Sequence, residues 1–201
     1  DVDKVVVAVP TKLLQNQIMN QEAKALSDVF NINFHSLKGP QNYIKLDAFY
    51  QTLLRQDSNR LVNRYKMQLL VWLTETETGD LDEIRQKQRY MAYFDEIKHD
   101  GKLKADSLFA EYDFWQQSYQ KAQEARVVVT NHAYLLTRME DDHDFVRGKT
   151  LVIDEGQKMV LALEQFSRHQ VNLTVLLQHI HRILDSGSQS LLQQRLLENL
   201  Q

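Results

Sequence analysis

Cysteine is absent from this 201-residue chain, which removes disulfides, thiolate metal sites and iron-sulfur ligation from its available chemistry. A reducing compartment is compatible with that absence. No uncharged stretch is long enough to span a bilayer, and Asp1-Val2-Asp3-Lys4 lacks the apolar core of a secretory signal, so the sequence reads as cytoplasmic. Excess positive charge is missing too. Lys and Arg number 24 against 27 Asp and Glu, a net charge of -3, so any contact with nucleic acid must be local. No internal repeat or low-complexity tract interrupts the chain. Its content of 43% hydrophobic and 25% charged residues is that of an ordinary globular protein with a core of one or two domains.

The chain begins with a β signal. Val5-Val6-Val7-Ala8-Val9 is a near-continuous β-branched run, the pattern of a strand buried on both faces of a parallel sheet. Pro10-Thr11 stops it, and Thr11 can cap a helix carrying Leu13, Leu14, Gln17 and Ile18. Two further strands are predicted at residues 127–130 and 150–153, with an amphipathic segment around Ala133 to Met139 between them. A three-stranded sheet with an edge at residue 5 would be poorly covered, which suggests a piece of a longer protein. Between the β pieces, residues 39–125 hold no convincing strand and show apolar residues at helical spacing, as in Phe49, Leu53, Leu61, Tyr65 and Leu69. Gly79-Asp80 and His99-Asp100-Gly101 read as turns, with Asp80 or Asp82 as a cap. After Gly156 the chain again reads as helical, with a break at Ser186-Gly187-Ser188.

The segment with the most chemistry is Leu151-Val152-Ile153-Asp154-Glu155, an apolar run delivering two adjacent carboxylates, followed by Gly156-Gln157. A strand that ends in an acid pair can hold magnesium and aim a water at a γ-phosphate. Taken alone, the pair more readily reads as the start of a solvated helix, where acids suit the helix dipole. Gly148-Lys149-Thr150 spells the end of a P-loop, but it precedes a strand instead of following one, so Gly148 reads as a turn. His179 and His181 point to different helix faces, which with His169 argues for a solvated helix over a metal site. Asp141-Asp142-His143-Asp144 lacks the glycine and spacing of a cation loop. Arg55, Arg60, Arg64 and Lys66 form a basic stretch, with Arg60 and Arg64 on one helix face, either a DNA track or a solvated surface balanced by nearby acids.

Taken in order, these motifs resemble the middle of a DinG-type helicase, a relative of the XPD family of superfamily 2 DNA helicases. Val7-Ala8-Val9-Pro10-Thr11 with Leu14 and Gln17 resembles the family's motif Ia, and residues 37–43, Leu-Lys-Gly-Pro-Gln-Asn-Tyr, resemble its entry into an iron-sulfur domain. Residues 129–136 are similar to its strand and N-H-x-x-L segment, and Val152-Ile153-Asp154-Glu155 to its motif II. The resemblance implies an α/β fold: a partial RecA-like parallel-sheet motor domain with a large helical insertion, predominantly helical by residue count. Its parts would be residues 1–38 and 126–160 for the motor, 39–125 for the insertion, and 161–201 for helices beginning an arch domain.

By the same resemblance, Asp154 would hold Mg2+ for ATP and Glu155 would orient or deprotonate the attacking water. Thr11, Gln17, Asn131 and His132 would face single-stranded DNA, joined by Arg60 and Arg64, although Asn131 also suits a helix cap. Gln157 would couple nucleotide state to DNA binding in place of the usual His of an Asp-Glu-Ala-His motif. A second departure is Ile44-Lys45-Leu46 where cluster-bearing relatives have Cys, so no iron-sulfur cluster is expected. The insertion would then be held by packing, and thirteen of the eighteen aromatic residues do lie between Tyr43 and Tyr119. The implied function is ATP-driven translocation on single-stranded DNA, with the P-loop upstream of Asp1 and the fragment alone inactive. Two alternatives stand beside it: a non-enzymatic helical interaction or DNA-binding module, and a parent protein acting mainly as an exonuclease.

Overall fold

A computed structural model of the protein describes residues 4–103, 106–167 and 177–180. The chain is α/β and divides into two compact units, residues 1–40 with 114–169, and residues 41–113 with 170–201.

The first unit is built on a four-stranded, all-parallel sheet in the order β2-β3-β1-β4. Strand β1 (Val5–Val9) is central. It pairs with β3 (Val127–Asn131) on one side and β4 (Thr150–Ile153) on the other, with Val9 opposite Asn131 and Ala8 opposite Ile153. The central position accounts for its unbroken β-branched run, since Val6, Ala8 and Val9 are at most 1% exposed. Two expectations are corrected here. The sheet has four strands, not three, because β2 (Phe34–Ser36) is too short to carry a periodic signal, and residue 5 lies in the middle of the sheet instead of at its edge.

Helices α1 (Lys12–Asn20) and α2 (Glu22–Phe30) link β1 to β2. Thr11 caps α1, its hydroxyl oxygen accepting from the Leu14 amide at 3.1 Å. On the sheet's other face Val6, Ala8 and Val128 pack with Ala122, Tyr134, Leu135 and Phe145. Ala122 belongs to α6 (Phe114–Glu124), and Tyr134 and Leu135 to α7 (His132–Asp141). Helix α6 packs against β2 and belongs to the sheet unit. Three of the aromatics credited to the insertion, Phe114, Trp115 and Tyr119, therefore stand on the sheet unit.

The second unit contains α3 (Leu46–Leu54), α4 (Arg60–Leu73) and α5 (Met91–Ile97). Its core is aromatic: Tyr65 stacks on Tyr93 with centroids 6.4 Å apart and meets the edge of Phe94 at 4.9 Å. Polar contacts close it as well. Asp80 caps a 3-10 turn through the Asp82 amide, and residues 43–45 are stitched to 97–99 by the backbone bonds Lys45 N to Ile97 O and His99 N to Tyr43 O, each 2.8 Å. Lys45 is buried and reaches Asp100 at 2.5 Å and the Lys102 carbonyl at 3.2 Å. The fully buried His99 bonds Asp113 at 2.9 Å. Packing alone therefore does not hold this unit; polar pairs anchored on the buried Lys45 and His99 contribute beside the aromatics.

Helix α8 (Gly156–Phe166) follows β4. The further helices expected across 161–201, and His169 and His181, lie outside the described residues apart from 177–180 and the end of α8. No helix among the described residues is long and apolar enough to cross a membrane.

Candidate active site at the carboxyl edge of the sheet

Parallel strands bring their carboxyl ends to one edge, and the register fixes who meets there. Thr11 follows β1, Asn131 ends β3 and His132 follows it, and Asp154-Glu155 follow β4, all within two residues of paired positions.

Asp154 is held through its backbone on two sides. Its amide donates to Ala8 O at 2.9 Å, extending the β1–β4 ladder, and its carbonyl lies 3.0 Å from His132 Nε2. The carboxylate is exposed and has no bonding partner among the described residues. Glu155 then adopts a left-handed conformation, φ 48° and ψ 59°, which costs a non-glycine residue about 1–2 kcal/mol and turns the chain sharply into α8. It makes no side-chain cap bond. Instead its carboxylate pairs with Lys158, one turn into α8, across an exposed contact. Gly156 has open space where a Cβ would stand, and Gln157 is exposed.

Asn131 and His132 do not face outward. Asn131 is 7% exposed, and its amide is committed at both ends: Oδ1 accepts from the Tyr134 amide at 3.1 Å and Nδ2 donates to Gln15 Oε1 at 3.1 Å. His132 is 1% exposed. Both side chains are buried, and Asn131 is turned inward by its two bonds. Gln15 itself, fully buried, was not singled out by the sequence. Its Nε2 reaches Ser36 Oγ, Leu37 O and Val129 O at 3.0, 3.1 and 2.9 Å, which ties α1 to the ends of β2 and β3. Gln15 lies one turn past the Thr11 cap, and only the packing of α1 on the sheet distinguishes it from the other polar residues of that helix. Thr11 and Gln17 are exposed.

No protein-family model matches the chain. Among curated proteins it is 32% identical over 157 residues to one named 3'-5' exonuclease DinG from Staphylococcus saprophyticus. It is 31% identical over 157 residues to proteins of the same name from Staphylococcus aureus strains USA300 and N315. The chain is a relative of the DinG proteins. Each match covers 77% of the chain, which spans only 17% of the relative's length.

The remaining candidates of this DinG relative separate into partnered and open groups. In the basic stretch, Lys66 is buried and paired with Asp57 at 2.6 Å, while Arg55 pairs with Glu96 at 2.8 Å. Arg60 and Arg64 stay exposed on α4. In the acidic loop, Asp142 pairs with Arg138 and Asp144 with Arg147, and His179 bonds Asp95 at 3.1 Å. Gly148, at φ 70°, makes the turn that feeds β4. Among the described residues no three His, Cys, Asp or Glu side chains come together as a metal site.

Proposed function

We propose that this chain is the ATP-hydrolysing core segment of a DinG-type DNA motor. The observation carrying this is the acid pair at the end of β4, with its backbone clamped and the Asp154 carboxylate open to solvent. A single free carboxylate suits Mg2+, which binds proteins through one or two carboxylates and takes its other ligands from phosphates and water. Asp154 would hold the ion, whose chemistry is to neutralise charge developing on the phosphates. Glu155, one residue on, would orient the attacking water. Its pairing with Lys158 does not oppose that role, because an exposed ion pair is worth about 0–1 kcal/mol and opens easily. Thr11, Gln17, Arg60 and Arg64 are the exposed groups available to single-stranded DNA. Gln157, exposed two residues past Glu155, would report nucleotide state.

The name of the relatives favours a second reading, a 3'-5' exonuclease. A two-metal nuclease centre needs several clustered carboxylates. The described residues gather no such group, so on this reading the nuclease centre would lie outside them.

The deciding experiment measures ATP turnover of the full-length protein with and without single-stranded DNA. Stimulated hydrolysis that falls by about 10²-fold or more in Glu155→Gln is expected. Unchanged turnover in that variant removes Glu155 from the reaction. Nuclease activity without ATP turnover supports the second reading.

A further inference from the structure

His132 is the first residue of α7 and is 1% exposed. The group 3.0 Å from its Nε2 is the backbone carbonyl of Asp154. A carbonyl can only accept, so the ring must carry its proton on Nε2. Nδ1 has no bonding partner among the described residues, so a single hydrogen bond sets the orientation of the ring. That bond joins the end of β3 to the residue that carries the metal-binding carboxylate. With the amide of Asp154 already fixed to Ala8, His132 completes a clamp on both peptide groups of residue 154. The chain immediately beyond is the left-handed Glu155. A left-handed non-glycine residue persists only when its surroundings over-determine it.

We infer that His132 is a positioning residue for the acid pair: its Nε2–H fixes the Asp154 carbonyl, and through it the directions of the Asp154 and Glu155 carboxylates. The inference rests on the reading of those carboxylates as the metal-holding and water-orienting groups. His132 touches neither nucleotide nor DNA in this role. Substitutions there should act on turnover and metal affinity while leaving the affinity for single-stranded DNA unchanged.

The test compares His132→Gln with His132→Phe in the full-length protein. Glutamine can present an N–H near the position of Nε2, whereas phenylalanine fills similar volume without a donor, so a loss common to both reports packing alone. Three quantities are read: ATP turnover with single-stranded DNA, Mn2+ affinity in the presence of a non-hydrolysable ATP analogue by electron paramagnetic resonance, and amide exchange across residues 154–158. The expected result is turnover on the order of tenfold or more lower in His132→Phe, weaker Mn2+ binding and faster exchange in that segment, with substantial recovery in His132→Gln. Equal turnover and Mn2+ affinity in the two variants overturns the positioning role. Should His132→Phe fail to fold, His132→Met, which also lacks an N–H donor, takes its place: a loss of Mn2+ affinity and faster exchange in it with recovery in His132→Gln support the inference, and equal values in the two overturn it. Glu155→Gln is run beside them. If it abolishes turnover while His132→Phe does not, the inference fails and the functional reading stands; if neither changes turnover, the reading itself fails.

Discussion

Gln15 shows how much one residue can hold. Its amide bonds the ends of β2 and β3 and the side chain of Asn131, all without solvent. Replacing it with leucine strands the Asn131 amide and removes a donor from two buried carbonyls, and each buried polar group left unpaired costs roughly 1–3 kcal/mol. Gln15→Leu is expected to lower stability by about 2–4 kcal/mol in urea unfolding, with Asn131→Leu additionally costing the α7 cap. Gly156 predicts the opposite sign. It begins a helix, and a Cβ there meets nothing within 4 Å, so Gly156→Ala should stabilise by about 0.5 kcal/mol, read as a rise in melting temperature. Glycine at that position is therefore not demanded by local sterics. Neither residue's role could be read from the sequence, since a polar residue on an inward helix face and an unneeded glycine look like any others until their neighbours are known.

At the scale of elements, β1, β3 and β4 were legible because each is a run of β-branched residues bounded by a turn or cap. Strand β2 was not, because it is only three residues long and half-buried. Its His35 bonds Ser118 of α6 at 2.9 Å, and burial, with a smaller contribution from Lys121, holds the imidazole below its ordinary pKa. The fold therefore favours neutral His35. Stability from this residue is full above the unfolded value of about 6.5 and declines as pH falls from there toward the lowered folded value. Melting temperature should drop between pH 7 and pH 5, and His35→Gln, which keeps a hydrogen-bonding group toward Ser118, should make that slope shallower. An unchanged slope would place the pH sensitivity elsewhere. The β4–α8 junction was half legible. The acid pair could be read from the sequence, while the left-handed turn at Glu155 and the clamp from His132 depend on β3 and β4 both lying beside β1, a fact that no local pattern contains.

For the whole molecule, the sequence suggested an insertion held by aromatic packing. Tyr65, Tyr93 and Phe94 bear that out, but Lys45–Asp100 and His99–Asp113 add polar closures that periodicity could not reveal, because their partners are 55 and 14 residues apart. The same unit carries the prediction about DNA. Of four basic residues in the stretch, two are consumed internally and only Arg60 and Arg64 remain exposed. Arg60→Glu with Arg64→Glu should weaken single-strand binding and reduce its salt slope by about two, measured by fluorescence anisotropy across a salt series. Equal affinity at low salt would make α4 a solvated face.

The central place of β1 has a consequence in time. Its neighbours begin at residues 127 and 150, so both edges of this apolar strand stay unpaired until more than a hundred further residues have been made. At ribosomal speed that wait is on the order of ten seconds. A nascent Val5–Val9 has to be shielded for that interval, and the sheet unit is expected to complete only after residues 41–113 have already emerged, which makes the order of synthesis part of how this chain avoids aggregation.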